Sequence, residues 1–214
     1  AGIKLELTPR QIADCINKIG IGFMFAPVHH SAMRYAGPVR QELSIRTMMN
    51  VLGPMTNPAQ AKRQVIGVFA REWQEKIARV LQILGSVHAL VVHSEGLDEI
   101  RLDAPTHVIE LKDDTISEYT ISPMDFGIAE ATPEEIQKLS ADSVTKSFEL
   151  VKEGLSQPDS PAANIVALNA GAAIYASGVA DDLQSGVLVA QTVIAEKSGL
   201  AKLEELALLT SHET

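Results

Sequence analysis

At 214 residues the chain is long enough for one sizeable domain, or for one domain with an appendage. With 46% hydrophobic and 21% charged residues, its composition is that of a soluble globular protein rather than a disordered or collagen-like one. A net charge of -9 with no basic run argues against a nucleic-acid surface, which needs clustered Lys and Arg to neutralise phosphates. The single cysteine, Cys15, excludes a disulfide framework and a cysteine-rich metal site, and points to a reducing compartment, with the cytoplasm as the expected location. No apolar run approaches the roughly 20 residues needed to span a bilayer, so no membrane association is expected. Ala1-Gly2-Ile3-Lys4-Leu5 lacks an initiator Met and reads either as the middle of an element or as the product of Met removal.

Thr8-Pro9-Arg10-Gln11 combines a cap hydroxyl, a proline for the first turn and a glutamine that closes a capping box, so a helix starts there. Its expected buried face is Ile12, Cys15, Ile16 and Ile19, and Gly20 stops it. Phe23 to Ala26 reads as a short buried strand ended by Pro27, followed by short helices interrupted at Gly37-Pro38. Another helix, from about Arg46, is expected to stop at Gly53-Pro54. A strand over Gln64 to Ala70, an amphipathic helix over Glu72 to Leu84 and a strand over His88 to His93 then make a βαβ unit, which implies a parallel sheet. Thr106 to Leu111 and Thr115 to Ile121 form an expected hairpin added to that sheet. From Thr132 onward the pattern is helical, with a second capping box at Thr132 and a helix opening at Ser160-Pro161. The Ala-rich face of that helix, Asn169 to Ala176, suits close packing; the last helices run from about Asp181 to Ser198 and from Leu200 to Leu209. The expected fold is α/β, a mostly parallel central sheet flanked by helices with an added antiparallel hairpin, in a single domain over 1–214.

Two segments carry chemistry. Between Phe25 and Pro58 stand His29, His30, Arg34, Arg40, Arg46, Thr47, Asn50 and Asn57, among prolines and glycines that fix the backbone. Arginine forks match carboxylate or phosphate oxygens and imidazoles donate to the same ligands, so the set reads either as an anion pocket or as a solvated helical surface. Glu95-Gly96-Leu97-Asp98-Glu99 follows the strand His88 to His93. Ligands of parallel sheets sit outside the carboxyl ends of strands, so this segment is either a Mg²⁺ site for a phosphorylated substrate or a charged turn. A glycosidase-like carboxylate pair is a third reading, but neighbouring side chains in a loop diverge rather than flank one bond. The 14 glycines include neither GxGxxG nor a phosphate-loop motif, and Gly20-Ile21-Gly22 precedes a strand rather than a helix.

The residues Phe25-Ala26-Pro27-Val28-His29-His30-Ser31-Ala32-Met33, Val39-Arg40-Gln41-Glu42-Leu43, Ile45-Arg46-Thr47 and Asn50 through Pro54 to Asn57-Pro58 closely resemble the anthranilate phosphoribosyltransferase family. The match continues through His93, Gly96, Asp98-Glu99 and Asn169-Ala170. The resemblance implies a nucleoside phosphorylase/phosphoribosyltransferase-like catalytic domain that joins the amine of anthranilate to C1 of phosphoribosyl pyrophosphate in tryptophan biosynthesis, with Mg²⁺ assistance. It implies anthranilate contacts for His30, Arg40 and Pro54, Mg²⁺ ligands in Asp98 and Glu99, and no covalent enzyme intermediate. The family carries an upstream helical dimerisation domain and a glycine-rich pyrophosphate loop, so the chain is expected to be the carboxyl-terminal part of a longer two-domain homodimeric enzyme. Ser44 replaces a usual glycine and Met49 a usual aromatic residue. A pyrimidine-nucleoside phosphorylase-like enzyme and a non-catalytic folded fragment are the competing readings.

Overall fold

The computed structural model describes residues 1–29, 55, 57 and 59–211. They fall into two compact units, the first made of the segments Ala1–Pro58 and Gly199–Thr214 and the second of Ala59–Ser198. Of the expectations above, the helix from about Arg46, the break at Gly37-Pro38, Ser44 and Met49 lie outside the described residues.

The regular elements among the described residues of the first unit are helices. Helix α1 (Pro9–Ile19) begins as its capping box requires: the Thr8 hydroxyl accepts from Gln11 N, and the Gln11 side chain accepts from Thr8 N at 2.8 Å. Gly20 ends it at φ 81°, where a side chain is disfavoured. Ile12 and Cys15 are buried with Leu7 and Leu206, and Ile19 packs at the edge of this cluster. Ile16 departs from the expected buried face and is 44% exposed, because it lies at the flank of the stripe and covers the backbone turn at Gly22. Phe23 to Ala26 is not a strand. Phe23 is 49% exposed, and Ala26–His29 forms one helical turn, α2, in which Pro27 occupies a first-turn position that needs no N–H donor.

In the second unit a four-stranded sheet runs in the order β1 (Arg63–Gly67), β2 (His88–His93), β3 (Thr106–Lys112), β4 (Thr115–Ile121). β1 and β2 are parallel and joined through a 3₁₀ turn at Arg71–Trp73 and helix α3 (Gln74–Ile83), as the βαβ pattern predicts. β2–β3 and β3–β4 are antiparallel, so the described sheet is mixed rather than mostly parallel. The cause is the β2–β3 connection, which holds no crossover helix; the chain doubles back beside β2 instead of returning to the other end. The hairpin of β3 and β4 appears as expected, with Asp113 and Asp114 at φ 47° and 64° in its turn.

Helices α4 (Pro133–Lys138), α5 (Val144–Ser156), α6 (Pro161–Ser177) and α7 (Leu183–Ala195) follow, and α8 (Ser198–Ser211) belongs to the other unit. Hydroxyls of Thr132, Ser143 and Ser160 and the carboxylate of Asp182 cap their first turns. The Ala-rich face of α6 packs closely as expected. A Cβ on Gly171 would lie 2.6 Å from Val187 Cα, and one on Gly186 2.3 Å from Gly171 O, so both must be glycine for α6 and α7 to cross. Among the described residues no helix is long and apolar enough to cross a membrane.

One polar network is sealed into the core of this unit. The Glu110 carboxyl, 7% exposed on β3, lies 2.8 Å from His88 Nε2 and accepts from Tyr175 at 2.7 Å and Tyr119 at 2.9 Å. Burial first, and Glu110 beside them, push both tyrosine hydroxyls above their ordinary range, so both remain donors. A charged residue amid Ile109 and Leu111 was the sequence signal for this network. Glu110→Ala strands all these partners and should destabilise the chain by about 3 kcal/mol or more, against about 1 kcal/mol for Tyr119→Phe. Urea unfolding of the two variants checks this ordering; equal midpoints would contradict it.

Candidate functional site

The carboxyl ends of the parallel pair, at Gly67 and His93, define where a ligand is expected. Asp98 and Glu99 stand there, in the loop that leaves β2, and both are exposed. The loop is built from fixed points. Ser94 and Leu97 exchange backbone hydrogen bonds of 3.0 and 2.8 Å around Glu95 and Gly96, whose φ values of 43° and 86° are those of a tight primed turn. Ser94 Oγ donates to Pro105 O at 2.7 Å and ties the loop's two ends together.

Gly67 then seats the acidic pair. A Cβ at this position would lie 1.6 Å from Asp98 O and 2.4 Å from its carbonyl carbon, so the backbone of Asp98 rests directly on the glycine at the end of β1. A glycine inside a strand pattern signals such close backbone approach, and Val65-Ile66-Gly67-Val68 carried that signal unread. β1 stops at Gly67 instead of continuing to Ala70, although Val68 N still donates to Val92 O at 2.9 Å.

Beyond the pair, Ile100 is 3% exposed and its side chain joins the core. Its backbone is held by Asn169 of α6: Ile100 N donates to Oδ1 at 3.0 Å, and Nδ2 donates to Ile100 O at 2.9 Å. Arg101 makes a bidentate pair with Asp103, at 2.7 and 2.5 Å. Those hydrogen bonds hold the Asp103 carboxyl below its ordinary range, so it stays ionised, and they raise Arg101, with Glu95 adding to the effect. His93 ends β2, half-buried, with Nδ1 donating to Val68 O at 2.8 Å. That bond fixes the proton on Nδ1.

Among the described residues neither Asp98 nor Glu99 takes part in a salt bridge, and no third carboxylate, histidine or cysteine gathers with them into a metal cluster. Two exposed carboxylates fit Mg²⁺, which dehydrates reluctantly and favours one or two carboxylates shared with phosphates. They do not form the closed four-ligand set of a structural zinc site. His30, Arg40 and Pro54 lie outside the described residues. His29, their neighbour, ends α2 with Nε2 buried and without a hydrogen-bond partner among the described residues. A cleft of about 340 Å³ lies elsewhere, between the first turn of α6 and the last turns of α7, lined by Asp159, Asn164, Gln191 and Thr192. No residue of the acidic loop lines it, and the Thr192 hydroxyl is spent on Leu188 O.

Residues 1–202 match the family model described as glycosyl transferase family, a/b domain. The chain is 51% identical over 211 residues to anthranilate phosphoribosyltransferase of Methylococcus capsulatus, and 53% identical over 213 residues to that of a Marinomonas species. Each alignment covers 98% of this chain and 61% of the relative, so the chain spans about three-fifths of the length of these curated relatives. The crystal structure of the Thermus thermophilus anthranilate phosphoribosyltransferase superposes with a TM-score of 0.89 at 37% identity, covering 98% of this chain and 62% of that one. The Saccharomyces cerevisiae enzyme in complex with PRPP and Mg shares the fold, with a TM-score of 0.85 at 21% identity over 98% of this chain and 60% of that one. The resemblance read from the sequence is thus borne out along the chain.

The seat at Gly67 is testable without any ligand. Gly67→Ala keeps an ordinary backbone conformation but must push Asp98 away, at a cost typical of overpacking, about 1–3 kcal/mol. Amide resonances of residues 94–100 should shift while those of α7 stay in place. Unmoved loop resonances would show that the contact does not set the loop.

Proposed function

The chain belongs to the glycosyl transferase family, whose a/b domain it carries, and from that premise we propose that it forms the acceptor- and metal-binding part of an anthranilate phosphoribosyltransferase of tryptophan biosynthesis. The observation that carries this reading is the agreement with named anthranilate phosphoribosyltransferases over 98% of the chain at about half identity, together with an exposed acidic pair at the carboxyl end of a parallel strand pair. In the reaction, the amine nitrogen of anthranilate forms a bond to C1 of phosphoribosyl pyrophosphate as the bond from C1 to the pyrophosphate oxygen breaks. The products are N-(5-phosphoribosyl)anthranilate and pyrophosphate, with one amine proton released.

Each residue has a role set by its chemistry. Arg40 presents a planar fork to the anthranilate carboxylate, His30 donates beside it, and Pro54 supplies a rigid apolar wall for the ring. Asp98 and Glu99 hold Mg²⁺, which as a Lewis acid neutralises charge developing on the leaving pyrophosphate. That the Saccharomyces cerevisiae relative was solved with PRPP and Mg, and in another structure with 4-fluoroanthranilate, supports these ligand classes. The whole enzyme is a cytoplasmic homodimer on this reading.

Isothermal titration tests it. Arg40→Ala should bind anthranilate about 10–100-fold more weakly than the parent chain, the loss expected of one charge-assisted hydrogen-bonded contact. Asp98→Asn combined with Glu99→Gln should abolish the Mg²⁺ dependence of phosphoribosyl pyrophosphate binding and leave anthranilate affinity alone. An unchanged anthranilate affinity in Arg40→Ala would remove that residue from the pocket, and binding of a pyrimidine nucleoside in place of anthranilate would point to the phosphorylase-like activity.

A further inference from the structure

We infer that Asn169, on α6, is the positioning residue of the acidic pair, setting the direction of Asp98 and Glu99 through the backbone of Ile100. The inference rests on the reading of those two carboxylates as the metal ligands. All three hydrogen-bonding directions of the amide used here are committed: Oδ1 accepts from Ile100 N at 3.0 Å, and Nδ2 donates to Ile100 O at 2.9 Å and to Ile165 O at 3.0 Å. The bond to Ile165 O, one turn back in the same helix, fixes the rotamer, so the amide face offered to Ile100 is fixed with it. A two-bond clamp on the N–H and C=O of one residue spans two successive peptide units and restrains both where the backbone lies and how it is turned, which a single bond does not.

The consequence reaches the carboxylates because the loop has few other freedoms. On one side Asp98 O rests on Gly67; on the other, one residue past Glu99, Ile100 is clamped by Asn169 and anchored by its own buried side chain. The acidic pair is therefore suspended between two fixed points, with its side chains exposed. A neutral side chain 69 positions away in sequence thus supports the metal site without touching the metal, in the manner of outer-shell partners that orient ligands.

The test uses paramagnetic broadening by Mn²⁺, as a stand-in for Mg²⁺, on amide resonances of residues 96–101 in the 214-residue chain. Micromolar-to-millimolar titrations should broaden these signals in the parent, and Asp98→Asn should remove the effect. Asn169→Leu, of similar size but without the amide, should shift the required Mn²⁺ concentration upward by about 10–100-fold. Should that variant fail to fold, Asn169→Ser carries the same expectation. Tyr175→Phe loosens the same helix at its other end and should leave the Mn²⁺ response unchanged. Parent-like broadening in the Asn169 variants, or equal weakening in Tyr175→Phe, overturns the positioning role while leaving the metal reading intact. Parent-like broadening in Asp98→Asn, or none in the parent, overturns the metal reading and the inference with it.

Discussion

The absence of a side chain at Gly67 lets the Asp98 carbonyl rest against the end of β1, and the layout of the candidate site follows from that contact. Without it the loop leaving β2 would arch over the strand end, and Asp98 and Glu99 would project from a free segment. With it, the carboxylates stand at the mouth of the parallel pair, where strand ends and loop backbones converge. The constraint is steric rather than attractive, so its value is geometric: it fixes a distance that no side chain at this position could tolerate.

Helix α6 carries that order through the rest of the unit. Asn169 reaches the loop beyond the acidic pair, and Tyr175, six residues and about 9 Å along the helix, reaches the Glu110 carboxyl, which also meets the side chain of His88, the first residue of β2. One helix thus holds both the loop that leaves β2 and, through Glu110, the sheet near the start of β2. Between the grips, Gly171 lets α7 approach to backbone contact, which holds α6 from its outer side. The Glu110 network has no place in the proposed reaction. Its contribution is orientation, since a buried carboxyl with hydroxyl and imidazole partners accepts few alternative packings.

Element types were legible where local chemistry decides them. Capping boxes at Thr8 and Thr132, the Ser160-Pro161 start and the two-residue hairpin turn at Asp113-Asp114 state their structure in a few adjacent residues. The misread features depend on partners distant in sequence. Phe23 to Ala26 has strand composition but pairs with no strand among the described residues, and the direction of β3 was set by a connection whose twelve residues give no periodic signal. In the site, Asp98 and Glu99 were legible from their place after a strand. Asn169 was visible only as part of a resemblance, because its partner Ile100 lies 69 residues away and no local pattern links them.

The electrostatics of the chain give the acidic pair its chemical sense. The protein carries a net charge of -9, and the proposed substrate, phosphoribosyl pyrophosphate, is itself a polyanion. Two unscreened carboxylates at the mouth of a site would repel it, so on this reading they act only together with a divalent cation that reverses the local sign. A pair without a third protein ligand holds such a cation incompletely and leaves coordination positions for phosphate oxygens. Metal and phosphorylated substrate would then complete one another's binding, and a ligand without phosphate would gain nothing from the pair. On the proposed reading, specificity for anthranilate would come from elsewhere, and the arginine- and histidine-bearing segment from Phe25 to Pro58 has side-chain types suited to a carboxylate. The proposed division of labour is therefore electrostatic: acidic residues would serve the donor through a cation, and basic residues the acceptor directly.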